Sequence, residues 1–234
     1  MRDRDWAARL IYLDDGLIVV AKPPGILTHP GGWSPESYTV MLGLRALFGQ
    51  HVYPLHRLDR PTSGILLFAR NSPMASRYRT IFESNQLKKT YLAVVRGWPN
   101  EEGAIDRSLK CPESGRVQSA KTTFRRLATA AIEKPIGKFP TGRFALLEVQ
   151  LESGRWHQIR RHVNGVTHPV VGDSTHGDTR FNRYAKDNAG IDRLMLHASK
   201  VEFEDPRGYG FRRFEAPLES DMAQVLERFK WPVP

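Results

Sequence analysis

Cysteine is nearly missing from this chain of 234 residues: Cys111 stands alone. A lone thiol closes no intrachain disulfide, which fits a reducing cytoplasm. No apolar run approaches the roughly 20 residues that a bilayer-spanning helix needs. Met1-Arg2-Asp3-Arg4-Asp5 is charged and leads into no apolar signal core, so residues 1–8 read as a loose polar lead. No long amphipathic basic helix offers itself to an anionic membrane. Pro23-Pro24-Gly25 lacks the glycine spacing and the terminal Lys-Ser/Thr of a phosphate loop. His157, His162, His168 and His176 do not repeat at i,i+4, and no cysteine joins them, so no metal site is read here. The clustered carboxylates that a metal-dependent nuclease wants are also missing. Acidic side chains are outnumbered, 25 Asp and Glu against 35 Lys and Arg, which leaves a net charge of +10. That balance suits a polyanionic partner.

What is present is ordinary globular material. Hydrophobic residues make up 40% and charged ones 26%, enough for a sizeable core. Residues 9–13 and 17–21 read as strands around Asp14-Asp15-Gly16, and Asp-Gly between apolar runs is a hairpin signal. Lys22-Pro23-Pro24-Gly25 breaks the second strand, and the stretch from His29 to Pro35 reads as loop. Val40, Leu44 and Leu47 fall at helical spacing, which predicts a helix over 38–48 that ends at Gly49. Ser72-Pro73 opens a second helix to about Asn85. Strands are predicted at 90–95, 122–127, 143–151 and 194–203. Residues 129–142 hold two prolines and two glycines and read as a loop, as does polar 172–190. Ser153 is placed to cap a helix through Val163, and a final helix covers 220–229. Intermixed strands and helices with hairpin signals point to an α+β fold, and the lack of a repeat or an evident linker to one domain over 1–234.

The stretch Tyr53-Pro54-Leu55-His56-Arg57-Leu58-Asp59-Arg60-Pro61-Thr62-Ser63-Gly64 joins two apolar runs through a polar loop. One carboxylate, Asp59, lies between two arginines. Loops held by buried strands are where chemistry is usually mounted; an ion pair that closes a turn is the plain alternative.

His-Arg-Leu-Asp followed by Thr-Ser-Gly resembles the signature of the RluA family of pseudouridine synthases. Four further stretches fit in order: Val19-Val20-Ala21-Lys22-Pro23-Pro24-Gly25, Lys88-Lys89-Thr90-Tyr91-Leu92-Ala93, Ser153-Gly154-Arg155-Trp156-His157-Gln158-Ile159-Arg160, and Leu194-Met195-Leu196-His197-Ala198. The resemblance implies a catalytic domain with a central mixed, mostly antiparallel sheet flanked by helices and loops, and an active-site cleft across the sheet. Members often carry an N-terminal S4-type RNA-binding module; with a first strand near residue 9, none is expected here. The implied reaction isomerises uridine in RNA, without cofactor or metal, in a monomer.

By the same resemblance Asp59, Tyr91 and Arg160 are catalytic, and His56, Arg57, Arg60, Arg155, Ile159 and Leu196 bind substrate. Arg57 takes the base-flipping role, and Arg160 is placed against Asp59. Tyr91 offers a stacking platform for an extruded base; an isolated strand tyrosine would more simply be core. Arg60 departs from the strict family pattern and reads either as a phosphate contact or as a bystander. Ile159 and Leu196 read as walls of a uracil pocket or as core. On a helix from Ser153, Trp156 and Arg160 would share a face. Within the family the resemblance is to members that act on tRNA at uridine 65, carried by Ala69-Arg70-Asn71, Val95-Arg96-Gly97-Trp98, Gly172-Asp173-Ser174-Thr175-His176-Gly177-Asp178 and Arg193-Leu194-Met195-Leu196-His197-Ala198-Ser199. Another tRNA uridine, or one in ribosomal RNA, is the alternative substrate. A catalytically silent RNA-binding protein is the alternative class.

Overall fold

The structure, a computed structural model, describes residues 5–30, 38–83 and 86–233. The elements run β1 (Leu10–Leu13), β2 (Leu17–Lys22), α1 (Val40–Phe48), β3 (Tyr53–Pro54), β4 (Ser63–Ala69), α2 (Ser72–Glu83), β5 (Lys88–Arg96), β6 (Glu102–Asp106), β7 (Leu109–Lys110), β8 (Val117–Gln118), β9 (Lys121–Ile132), β10 (Gly142–Leu151), α3 (Gln158–Gly165), α4 (Thr179–Ala189), β11 (Leu196–Glu204), β12 (Phe211–Glu215) and α5 (Ser220–Arg228). They group into two compact units. The first holds Met1–Lys89 and Ala198–Pro217; the second holds Thr90–His197 and Leu218–Pro234.

In the first unit the strands lie in the order β1-β2-β4-β11, with β3 also beside β4 and β12 beside β11. The β1–β2, β2–β4, β3–β4 and β11–β12 pairings are antiparallel. Every residue of β2 and β4 is buried, which is why both read as unbroken apolar runs. The predicted turn joins β1 to β2: Asp14 Oδ1 accepts from the N–H groups of Gly16 and Leu17, both at 2.7 Å. The opening residues are not the loose lead they resemble from Trp6 onward. Trp6 is 3% exposed, and its indole N–H donates to Tyr38 Oη at 2.7 Å; residues 1–4 lie outside the described chain. So do Gly31 to Pro35 of the predicted loop and Asn85 at the predicted end of α2. Thr39 caps α1, and Gly49 ends it at φ 65°.

Gly64 has φ 115°, and a Cβ there would stand 2.2 Å from the Ala198 carbonyl oxygen. Two strands approach so closely that only glycine fits after the Asp59 loop.

In the second unit β10 and β9 form a long antiparallel hairpin from Gly142↔Ile132 to Leu151↔Thr122, and β6 pairs with β9. The loop predicted at 129–142 is therefore shorter. Thr129 to Ile132 stay in the ladder because Gly142 to Ala145 continue to pair with them. Two helical readings are corrected as well. Residues 172–190 are not all loop: Thr179–Ala189 is helix, with Asp178 accepting from Phe181 N–H at the start and Gly190 at φ 72° closing the end. Phe181, Tyr184, Ala185 and Ala189 form its buried stripe, against Phe144 and Met222. The helix read from Ser153 begins only at Gln158, for a reason given below. Among the described residues no helix is long and apolar enough to cross a membrane.

Candidate active site

The first unit contributes the Asp59 loop. Leu58 anchors it: its side chain is 5% exposed, its N–H donates to Thr28 Oγ1 at 3.2 Å, and its carbonyl accepts from the same hydroxyl at 3.3 Å. Thr62 N–H then closes a turn onto the Asp59 carbonyl at 3.0 Å, with Pro61 inside it. The next carbonyl, that of Arg60, accepts from Gly25 N–H at 2.8 Å and from the Lys22 ammonium at 3.1 Å. Lys22 is fully buried and donates also to the Pro23 carbonyl at 2.8 Å. Lys22-Pro23-Pro24-Gly25 is thus the clamp on which the Asp59 turn is mounted. Arg60 proves to be part of that clamp, since its Nε donates to the Gly25 carbonyl at 2.9 Å. Asp59 itself is partly exposed, and Arg57 and Arg60 are exposed.

His56 is bonded to β4. Its Nε2 accepts the Leu67 N–H at 3.2 Å, and its ring stacks on Phe82 with centroids 5.4 Å apart. An imidazole that accepts a backbone N–H is neutral at that nitrogen. Burial lowers its pKa to about 3, the Lys89 charge acts in the same sense, and a backbone bond to Arg57 opposes both. His56 therefore holds the loop and β4 together as a neutral ring.

The second unit contributes the other predicted residues. Tyr91 lies in β5 at 7% exposure, Leu196 is 4% exposed, and Ile159 and Arg160 lie on α3 at 4% and 3%. Arg155 lies before α3: it is exposed, and its Nε donates to the Ser119 carbonyl at 3.0 Å.

The late start of α3 follows from Gln158. Its Oε1 accepts from Ser153 Oγ at 2.8 Å and Arg155 N–H at 3.0 Å, while its Nε2 donates to the Lys121 carbonyl and Thr122 Oγ1, each at 3.0 Å. With all four amide bonds made, residues 153–157 are held in a loop. Ser153 therefore serves the Gln158 side chain rather than capping a helix. His157, at φ 50°, turns the chain into α3. Trp156 lies before the helix, so it shares no helical face with Arg160. It stacks instead on His157 with centroids 3.8 Å apart, and His157 Nδ1 lies 2.9 Å from His176 Nε2.

The partner of Arg160 within its unit escaped the sequence reading. Arg160 Nε donates to Asp173 Oδ2 at 2.7 Å, and Nη2 donates to Oδ1 at 2.8 Å. Asp173 is 2% exposed. Burial pushes its carboxyl up, but the bonds from Arg160, His176 N–H and Thr175 N–H outweigh that and hold it below the usual range. Gly172-Asp173 had stood out only as part of the family resemblance. Its signal was the acid after a glycine: Gly172 has φ 80°, and a Cβ on it would stand 1.8 Å from the Arg193 carbonyl oxygen. Among the described residues no group of three or more His, Cys, Asp or Glu side chains is placed to hold a metal.

The arrangement offers a clamped carboxylate beside exposed arginines in one unit, and a buried aromatic, apolar side chains and a fixed guanidinium in the other. Comparisons with known proteins agree in kind. The profile described as RNA pseudouridylate synthase matches residues 16–165. A relative from Vibrio vulnificus, named tRNA pseudouridine synthase C, is 40% identical over 235 residues, covering 95% of this chain and 96% of its own. One of the same name from Vibrio cholerae is 41% identical over 234 residues, with 95% and 96% covered. The solved structure of human RNA Pseudouridylate Synthase Domain Containing 4 superposes with a TM-score of 0.77 at 21% identity, covering 100% of this chain and 97% of that one. For human RNA Pseudouridylate Synthase Domain Containing 1 the TM-score is 0.70 at 20% identity, with 94% of each chain covered. At those identities the two structures speak for the α+β fold alone.

Proposed function

Because the chain belongs to the RNA pseudouridylate synthase family, we propose that it isomerises a uridine of tRNA, the one at position 65, with Asp59 as the reacting carboxylate. The observation that carries the substrate is likeness along 95% of the chain to relatives named tRNA pseudouridine synthase C. The choice of Asp59 is supported by the clamp that presents its turn.

In the reaction the C1′–N1 bond breaks, the base turns, and a C1′–C5 bond forms. The proton on C5 is lost and N1 gains one, so composition and redox state are unchanged and no cofactor is called for. A carboxylate can attack C1′, attack C6 or take a proton from C2′, and each course uses the same ionised oxygen. Arg57, exposed two residues before Asp59, fills the gap left by the extruded base or contacts its phosphates. Tyr91 stacks on the base, Ile159 and Leu196 enclose it, and Arg160 supplies fixed positive charge. Arg155 meets backbone phosphate. His56 and Arg60 hold the loop. The enzyme works as a cytoplasmic monomer on the polyanion that its +10 charge favours.

The test incubates the purified chain, without metal or cofactor, with total tRNA from cells that lack it. Carbodiimide labelling and primer extension then locate pseudouridine, with Asp59→Asn alongside. A new stop tied to position 65, absent with the variant, is the expected result. A stop elsewhere discards the position and keeps the chemistry. Full activity of Asp59→Asn removes the carboxylate from the mechanism, and no stop on any RNA leaves a silent RNA-binding protein.

A further inference from the structure

We infer that the end of the second unit's sheet away from Tyr91 is a further RNA-binding surface, which takes an unpaired stretch of the same RNA on Trp98, Phe139 and the cations around them. The inference rests on the reading of RNA as the substrate given above.

The place follows from the strands. Gly97 N–H, just past β5, donates to the Arg143 carbonyl at the start of β10 at 2.7 Å. Tyr91 lies six residues back along β5, which is about 20 Å of strand. Trp98 and the β9–β10 turn therefore gather at the opposite end of the unit from the residue read as stacking on the reacting base.

The surface is held in shape before any RNA arrives. Ile136 and Phe139 exchange both backbone bonds, at 2.9 and 3.1 Å, around a two-residue turn of Gly137 and Lys138. Gly137 has φ 59°, the left-handed value that the first place of such a turn needs. A Cβ on it would stand 2.8 Å from the Arg180 guanidinium, so glycine also makes room for a cation of α4. Ile136 packs against the core of the unit. Trp98 is fixed by its indole N–H, which donates to the Ala130 carbonyl at 3.2 Å.

The chemistry of the surface is that of a nucleic-acid platform. Trp98 is 42% exposed and Phe139 59%. Each ring carries a cation: Arg143 Cζ lies 4.4 Å from the centre of Trp98, and Lys138 Nζ lies 5.6 Å from that of Phe139. From Lys134 to Arg143 there are three cations and no acid. Elsewhere in the unit Arg96 and Lys186 are paired with Asp178 and Asp192. Among the described residues no carboxylate pairs with Lys134, Lys138, Arg143 or Arg180, and all four are exposed. Charge of one sign beside exposed rings suits a strand whose bases stack while its phosphates meet the cations. Bases inside a duplex are already stacked on each other, so the rings call for an unpaired stretch. Held at two places about 20 Å apart, an RNA is selected by its shape as well as by its uridine.

Filter binding of a transcribed tRNA and of a fully paired RNA duplex, over a range of salt, is measured for wild type, Trp98→Ala, Phe139→Ser and the Lys138→Gln/Arg143→Gln pair. Single-turnover rates are taken at saturating tRNA. Trp98→Ala and Phe139→Ser are expected to weaken tRNA binding on the order of 10-fold with the salt slope kept, since a stacking ring is lost and no charge. Their affinity for the duplex stays within about twofold of wild type. The double charge variant lowers the slope of log affinity against log salt by about 0.7 for each cation removed. At saturation the single-turnover rate stays within about twofold, because no altered group meets the reacting base. Folded ring variants that bind tRNA as wild type does overturn the inference, as does an equal loss on the duplex. If Trp98→Ala does not fold, Phe139→Ser, whose ring stands outside the core, decides alone. A wild-type chain that shows the ring-dependent affinity but forms no pseudouridine overturns the proposed function alone; one that binds no RNA overturns both.

Discussion

Replacing Arg207 by methionine keeps an apolar stem and deletes a guanidinium that joins two carboxylates. Arg207 donates to Asp14 Oδ1 and Oδ2 at 2.9 and 2.8 Å, and to Asp205 Oδ1 and Oδ2 at 2.9 and 2.7 Å. Its side chain is 8% exposed, that of Asp14 22% and that of Asp205 0%. Tyr78 Oη donates to Asp205 Oδ2 at 3.3 Å, and Arg212 Nε lies 3.4 Å from the same oxygen. Removing one partner of a buried pair costs about 3–5 kcal/mol, because the other charge is left behind. Here Asp14 keeps the Gly16, Leu17 and Tyr12 bonds, and Asp205 keeps Arg212, so the lower end applies. About 3 kcal/mol at about 2–4 °C per kcal/mol gives a melting point lower by roughly 6–12 °C.

The pH dependence follows from the same contacts. Burial pushes both Asp14 and Asp205 up, but the Arg207 bonds and the backbone amides outweigh it and leave both below the usual carboxylate range. A depressed carboxyl contributes stability that is present above its unfolded value, about 3.9, and is lost as pH falls through the folded value. The gap between wild type and Arg207→Met is therefore widest at neutral pH and narrows below about pH 4. Thermal melts followed by circular dichroism across that range supply the test. A shift below about 2 °C at neutral pH, or a gap that widens toward acid, refutes the reasoning.

His56 is expected to stay neutral across the working range. With its pKa held near 3 by burial and Lys89, its ring-proton resonances stay flat between about pH 5 and 8, and a titration step near 6.5 contradicts the assignment. Its contribution to stability is fully present above about pH 6.5 and is lost as pH falls toward the folded value, since the unfolded chain takes the proton first. Gly64→Ala brings a Cβ to 2.2 Å from the Ala198 carbonyl at a φ of 115°. Urea unfolding should show a loss of more than about 2 kcal/mol, with pseudouridine formation falling alongside because the Asp59 turn leads into this glycine; an unchanged midpoint contradicts the close approach.

Local grammar was readable where a short stretch decides its own conformation. The Asp14-Asp15-Gly16 turn, the helix end at Gly49, and the apolar runs of β2 and β4 each carry their cause within a few residues. The helix Thr179–Ala189 had its cause in plain view too, in Asp178, Gly190 and the Phe181-Tyr184-Ala185 stripe. Its exposed face is so polar that composition outweighed period. Ser153 misled for the opposite reason: serine is a good cap, and only the four bonds of Gln158 to both its own loop and β9 show why the helix cannot start there.

The polar partners were the least readable part, and the physics says why. Asp59 could be found because a polar loop leading into an apolar strand announces a mounting place, and because the motif around it is known. The clamp on it could not be found: it is made by the backbone of Gly25 and the ammonium of Lys22, and Lys22 Nζ meets a carbonyl 38 residues along the chain. The same holds for Asp173, 13 residues from Arg160 with the rest of α3 and a turn between them. No periodicity relates two such residues. What relates them is desolvation: a guanidinium 3% exposed must find acceptors, and the fold decides which ones. A sequence reading can therefore name the candidate groups of a familiar motif while missing the residues that hold them.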